Sequence, residues 1–134
     1  MKVVLDTNVL LSSLGSRSPL RWLFEAFLRQ RFMMLVTTDI LLEYEEILAQ
    51  KISEKAARYF LNLITQSSNV QEVVPFFKWN FLKDESDNKF VDCAIAGSAD
   101  CIVSNDRDFD VLKTIAFPKL VVVSAKEFEP LLTR

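Results

Sequence analysis

Apolar and polar positions along this chain alternate in blocks that predict short strands separated by helices. Lys2 leads into the apolar run Val3-Val4-Leu5, which stops at Asp6 and predicts a buried strand over residues 2–5. A polar loop covers residues 12–18, and Ser18-Pro19 then opens a helix, since proline is tolerated in the first helical turn. Leu20, Leu23, Phe24, Phe27 and Leu28 recur at helical spacing and form its buried stripe. Residues 32–36 are a second apolar strand. Thr37 or Thr38 caps the next helix, in which Ile40, Leu41, Tyr44, Ile47 and Leu48 keep the helical period. Ser53 caps another helix through residue 65, carrying Ala56, Phe60, Leu63 and Ile64 inward.

The second half continues the alternation less cleanly. Residues 70–74 read as a weak strand stopped by Pro75, and residues 76–82 are aromatic and irregular. Residues 86–99 predict a helix with Phe90, Val91, Ala94 and Ile95 facing inward. A strand at 101–104, a short helix at 108–115 and a strand at 120–123 follow. Ser124-Ala125-Lys126-Glu127 has the capping-box pattern and starts a last helix through residue 132. The strands are continuous apolar runs, so both faces of the sheet should be covered. An α/β fold is predicted, with a central parallel sheet between layers of helices. The 134 residues suit one domain, 1–134, with no repeat, linker or low-complexity segment.

Composition sharpens this mainly by exclusion. The chain has no histidine, which removes Ser-His-Asp and Cys-His catalysis and histidine-ligated zinc. Its two glycines cannot build a glycine-rich phosphate loop. Cys93 and Cys101 are not at metal-ligand spacing and suit a reduced, cytoplasmic protein with thiols in the core. No stretch approaches a membrane span or a signal peptide. The net charge of −2 gives no general support to nucleic-acid binding. The distribution is more telling: residues 1–67 carry 8 basic and 7 acidic side chains, residues 68–134 carry 8 and 11. The excess acid gathers between Asp84 and Asp110, and such a cluster repels itself unless a cation is near.

Parallel α/β sheets place their sites beyond the C-terminal ends of strands. Asp6 ends the first strand and is followed by Thr7-Asn8 and then apolar residues, so its carboxylate presses on the core and needs a partner. Asp106 follows the 101–104 strand within Ser104-Asn105-Asp106-Arg107-Asp108. Glu43, in the second turn of its helix, reads equally as a solvated neighbour of Glu45 and Glu46. Asp87 reads equally as an acid complementing a helix dipole. If the four converge, their all-oxygen donor set suits Mg2+ or Mn2+. Such ions acidify water and neutralise charge on a phosphate without a side-chain nucleophile.

Four segments resemble the PIN-domain nucleases. They are Val3-Val4-Leu5-Asp6-Thr7-Asn8, Leu42-Glu43-Tyr44-Glu45-Glu46-Ile47-Leu48, Asp87-Asn88-Lys89-Phe90-Val91-Asp92-Cys93-Ala94, and Ile102-Val103-Ser104-Asn105-Asp106-Arg107-Asp108-Phe109. Each is weak alone; four in order across nearly the whole chain are fairly specific. The likeness is closest to the VapC-like toxins of prokaryotic toxin–antitoxin pairs. It implies a three-layer fold with sheet order 3-2-1-4-5 and RNA hydrolysis by a metal-activated water. It also implies Asp6, Glu43, Asp87 and Asp106 as ligands, with Asp92 competing with Asp87 for the third place. Asn8 and Ser104 match positions that orient the site, and Asp108 a frequent family acid. The implied partners are an RNA substrate, an antitoxin protein and possibly a second copy of the chain. RNA contacts would come from Arg17 and Arg21, or from Lys51, Lys55 and Arg58, which read equally as solvated helix faces. Two alternatives are an inert PIN module that binds RNA or protein, and a magnesium phosphatase. The latter is disfavoured because Asn8 stands where the common phosphatase pattern has a second aspartate.

Overall fold

A computed structural model describes residues 1–133. It contains five strands, β1 (Lys2–Leu5), β2 (Met33–Val36), β3 (Val70–Glu72), β4 (Cys101–Val103) and β5 (Val122–Val123). All pair in parallel in the order β3-β2-β1-β4-β5. Val3 and Val4 point to opposite faces of β1, and neither is exposed at all. Both faces of the sheet are therefore covered, and the molecule has the three-layer α/β architecture expected of continuous apolar strands.

The helices are α1 (Thr7–Ser13), α2 (Arg21–Leu28), α3 (Thr38–Lys51), α4 (Glu54–Gln66), α5 (Asn88–Ala96) and α6 (Ala125–Leu132). Thr37, Ser53 and Ser124 cap α3, α4 and α6 through their hydroxyls, and Ser124 with Glu127 completes a reciprocal capping box. α1 is an addition to the expected elements: Val9, Leu10 and buried Ser13 turn helical immediately after Asp6. Pro19 lies before α2 rather than in its first turn. The helix expected over 86–99 divides into a 3-10 turn at Glu85–Asp87 and α5, which ends at Gly97. The short helix expected at 108–115 is a 3-10 helix, Arg107–Thr114.

A row of aromatic contacts ties the layers together. Trp22, Phe128, Phe32, Phe27, Phe24, Phe60 and Tyr44 follow one another with ring centroids 5.5–6.4 Å apart. The row ends at Tyr44, fully buried on α3, whose hydroxyl donates to the Leu5 carbonyl at 2.6 Å. Complete burial pushes the Tyr44 phenol well above its usual range, so it stays a donor. This bond pins α3 to the end of β1, one residue before Asp6. At the other end of α5, a Cβ added to Gly97 would stand 2.6 Å from Leu35 Cδ1 and 3.0 Å from Val73 Cγ2. Glycine there lets the helix close onto β2 and the segment after β3.

Candidate active site

The sheet order puts the switch in chain direction between β1 and β4, since the strands after β1 are laid down on one side and β4 and β5 on the other. Leu5 and Val103 are register partners, so the residues that follow them leave the sheet side by side. The Asp6 N–H donates to the Val103 carbonyl at 3.0 Å and extends the ladder by one step. The buried Ser104 hydroxyl donates to Asp6 Oδ2 at 2.9 Å and accepts the Asp106 N–H at 3.1 Å. A single serine thus fixes Asp6 and aims the turn that carries Asp106. Asp106 Oδ1 accepts the Asp108 N–H at 2.9 Å and caps the 3-10 helix behind it.

Glu43 reaches the same place from α3. One of its carboxylate oxygens accepts from the Thr7 hydroxyl, and the other takes Lys89 Nζ at 2.7 Å. The Lys89–Glu43 pair is about one-fifth exposed on each side, so it is screened less than a surface pair. Thr7 and Lys89 are the two site residues that sequence reasoning did not single out. Thr7 directly follows Asp6, and Lys89 lies two residues after Asp87; both spacings were visible, but only the fold shows that they meet Glu43.

The electrostatics of Asp87 and Asp92 differ. Burial raises the Asp6 carboxyl; its bonds to Ser104 and Thr7 pull back, and the charges of Asp106 and Glu43 push it up again. Asp87 is pushed up to about 6, first by desolvation and then by Asp84, Asp6, Asp106 and Glu43. Its carboxylate therefore lies in the field of all three other candidates. Asp92 does not: its shift is also upward from burial, but it is opposed by the Trp79 N–H, held at 3.1 Å, and by Lys78. Asp87 faces the cluster, whereas Asp92 anchors the loop after β3.

The remaining candidates divide by position. Asn8 is exposed in the first turn of α1, and Asp108 is exposed in the first turn of the 3-10 helix. Arg21 donates to the Leu14 carbonyl, stacks over Phe24 at 5.0 Å and pairs with Glu25. Arg17 is exposed in the loop between α1 and α2. Lys51 lies about two turns beyond Glu43 on α3, at the last residue of the helix. Lys55 and Arg58 follow it on α4. Among the described residues none of these three basic side chains forms an ion pair with a carboxylate.

Among the described residues, no three acidic side chains stand close enough to form a ready-made chelate. The donor set still fits a hard divalent cation. It is entirely oxygen, it includes a buried carboxylate oriented by a hydroxyl, and burial together with neighbouring carboxylates raises the proton affinity of Asp6 and Asp87, which favours a nearby positive charge. Magnesium-like ions commonly take only one or two carboxylates and complete their shell with water, so this spacing is compatible. A groove of about 600 Å³ opens beside Asp87, with Arg107 and Phe81 on its walls.

Comparison with known proteins agrees with this layout. A family model described as a PIN domain matches residues 2–108. An uncharacterized protein of Methanocaldococcus jannaschii is 28% identical over 121 residues, covering 84% of this chain and 76% of that protein. Among solved structures, VapBC2 from Rickettsia felis, bound to a DNA fragment from their promoter, superposes with a TM-score of 0.65. It shares 15% identity over 92% of this chain and 98% of that one. The PIN domain endonuclease Utp24 superposes with a TM-score of 0.55 and 16% identity, over 92% of this chain and 84% of that one. At these identities the two solved structures speak for a shared fold.

Proposed function

The chain belongs to the PIN-domain family, and from that premise we propose that it is a metal-dependent endoribonuclease, the toxin of a toxin–antitoxin pair. The observation that supports the nuclease reading is that Asp6 and Asp87, near the switch between β1 and β4, both feel the charges of Glu43 and Asp106. In this reading the four carboxylates hold Mg2+ or Mn2+, and residues 1–134 act as one domain. When bound, the ion supplies positive charge for the scissile phosphate and lowers the pKa of water. Ser104 keeps Asp6 oriented, and Thr7 keeps Glu43 oriented. Among the described residues Lys89 supplies the ammonium in contact with Glu43 and offsets part of the cluster's charge while a polyanionic substrate approaches.

The toxin role rests on the fold shared with VapBC2, and the antitoxin would be a protein partner of the kind that complex contains. One observation favours an inert module instead: both oxygens of Glu43 are already engaged within the chain. Titration with manganese separates the two, because an inert module takes up no ion at millimolar concentration. The direct test is Asp6→Asn. The variant should fold as the parent does and lose metal-dependent cleavage of RNA. Cleavage at the parental rate would refute the assignment. No helix among the described residues is long and apolar enough to cross a membrane, which is compatible with a cytoplasmic role.

A further inference from the structure

In the loop after β3, Val73 and Leu82 are buried at the two ends, and Trp79 and Phe81 are half-buried. Phe76 and Phe77 are 89% and 72% exposed, which is far from the behaviour of core residues. Over residues 77–81 aromatic and polar side chains alternate strictly, as Phe77, Lys78, Trp79, Asn80 and Phe81. In extended chain, alternate residues share a side. The segment is not extended throughout, since Asn80 takes the left-handed region at φ 54°, yet the rings stand in a row: Phe77 and Trp79 are 6.2 Å apart between centroids, and Trp79 and Phe81 are 5.7 Å apart. The backbone is held in place at Trp79 by Asp92 and at Leu82 by Asn88, at 3.1 and 2.9 Å.

The row links two depressions. At one end Phe76 and Phe77 wall a cleft of about 270 Å³ that also contains Lys78 and Lys89. Lys89 is the residue whose ammonium holds Glu43. At the other end Phe81 walls the groove that contains Asp87 and Arg107. The ends of the aromatic row thus share depressions with Lys89 and with Asp87, two residues at the start of α5. In the first cleft the charges of Lys78 and Lys89 are balanced by Asp39 and Asp92. A balanced cleft with aromatic walls is poorly suited to a phosphate and well suited to a base, whose edges both donate and accept.

We propose that residues 76–81 are a stacking platform for single-stranded RNA, on which consecutive bases lie while the phosphodiester between them faces the carboxylates. This rests on the nuclease reading and adds how the substrate is held. Stacking of this kind is sequence-tolerant, because every base has a flat face, and needs no strongly basic surface. It accounts for RNA recognition by a chain whose net charge is −2.

The test uses the full chain in EDTA, so that RNA is bound but not cut, and six-nucleotide oligouridine carrying 5-iodouridine. Irradiation should crosslink the oligomer to Phe77, Trp79 or Phe81, located by mass spectrometry. Replacing Phe76 and Phe77 together by alanine should weaken oligomer binding roughly ten-fold. Manganese affinity and thermal stability should stay at parental values, because both rings are exposed and touch no carboxylate. Phe77→Trp should retain binding. Unchanged affinity in the double variant, crosslinks confined to other segments, or equal binding of an abasic oligomer would each overturn the platform. So would a parental dimer in light scattering that the double variant dissociates, since the rings would then serve a second copy. If the parent cuts no RNA with manganese and binds none in EDTA, the nuclease reading itself falls, and the platform with it.

Discussion

Replacing Asp87 by asparagine should stabilise the metal-free protein at neutral pH while removing metal-dependent activity. In the folded chain the Asp87 carboxyl titrates at about 6, against 3.8 when free of its surroundings. Between these values the folded state still holds a proton that the unfolded state has lost. The unfolded state then binds fewer protons, so stability falls as pH rises from about 4 to 6 and stays lower above. The full difference corresponds to about 3 kcal/mol. Water around a partly exposed side chain screens much of it, leaving roughly 1 kcal/mol. Asparagine keeps the shape and cannot ionise, so it escapes this penalty. The assay is urea unfolding of parent and Asp87→Asn in EDTA at pH 4, 5, 6 and 7. The two should coincide near pH 4 and diverge by roughly 1 kcal/mol at pH 7, the variant being the more stable. Added manganese should stabilise the parent and not the variant, because an ion that binds only the folded state stabilises by mass action. A variant less stable than the parent at pH 7, or a gap that does not change with pH, would refute the idea that like-charge crowding and burial set this carboxyl's behaviour.

Three further outcomes follow from other contacts. Lys89→Gln removes the ammonium 2.7 Å from Glu43; it should cost about 1–2 kcal/mol of stability, yet tighten manganese binding several-fold in calorimetry by freeing a carboxylate oxygen. Tyr44→Phe loses the bond to the Leu5 carbonyl; unfolding should show a loss of about 1 kcal/mol, and cleavage should slow more than substrate binding weakens, because Asp6 is the next residue. Gly97→Ala should lower stability by about 1–2 kcal/mol in thermal unfolding, since the new methyl meets Leu35 and Val73 where neither has room to move.

Much of the fold was legible because its strands are buried on both faces. Val3-Val4-Leu5 and Ile102-Val103 have to be apolar throughout, and the acid that follows each run marks the strand's end. The short 3-10 helix Arg107–Thr114 and α1 were harder, since brief apolar runs such as Val9-Leu10-Leu11 carry too few turns to show a period. At the site, Asp6 and Asp106 are marked by where their strands stop. Glu43 is not, because it differs from Glu45 and Glu46 only in what it meets across the fold. Thr7 and Lys89 matter through contacts 36 and 46 residues away in sequence, which no local pattern records. Asp87 and Asp92 both lie near the start of one helix; the choice between them depends on which side of it the other carboxylates occupy. Residues 77–81 carry a period of two that is plain once the rings are seen in a row, yet five residues are too few to distinguish a platform from a covering strand.

The bond from Ser104 to Asp6 closes a loop of 98 residues. Closing so long a loop is entropically costly and comes late, after local helices and the β1–β2 crossover can already have formed. The two aspartates at the switch are on strands that become neighbours only when β4 slots in beside β1. Until that insertion, Asp106 stays apart from Asp6 and Glu43. If the protein is a nuclease, its danger to the cell is switched on by completion of the sheet, which gives any inhibitor made at the same time an interval in which to be ready.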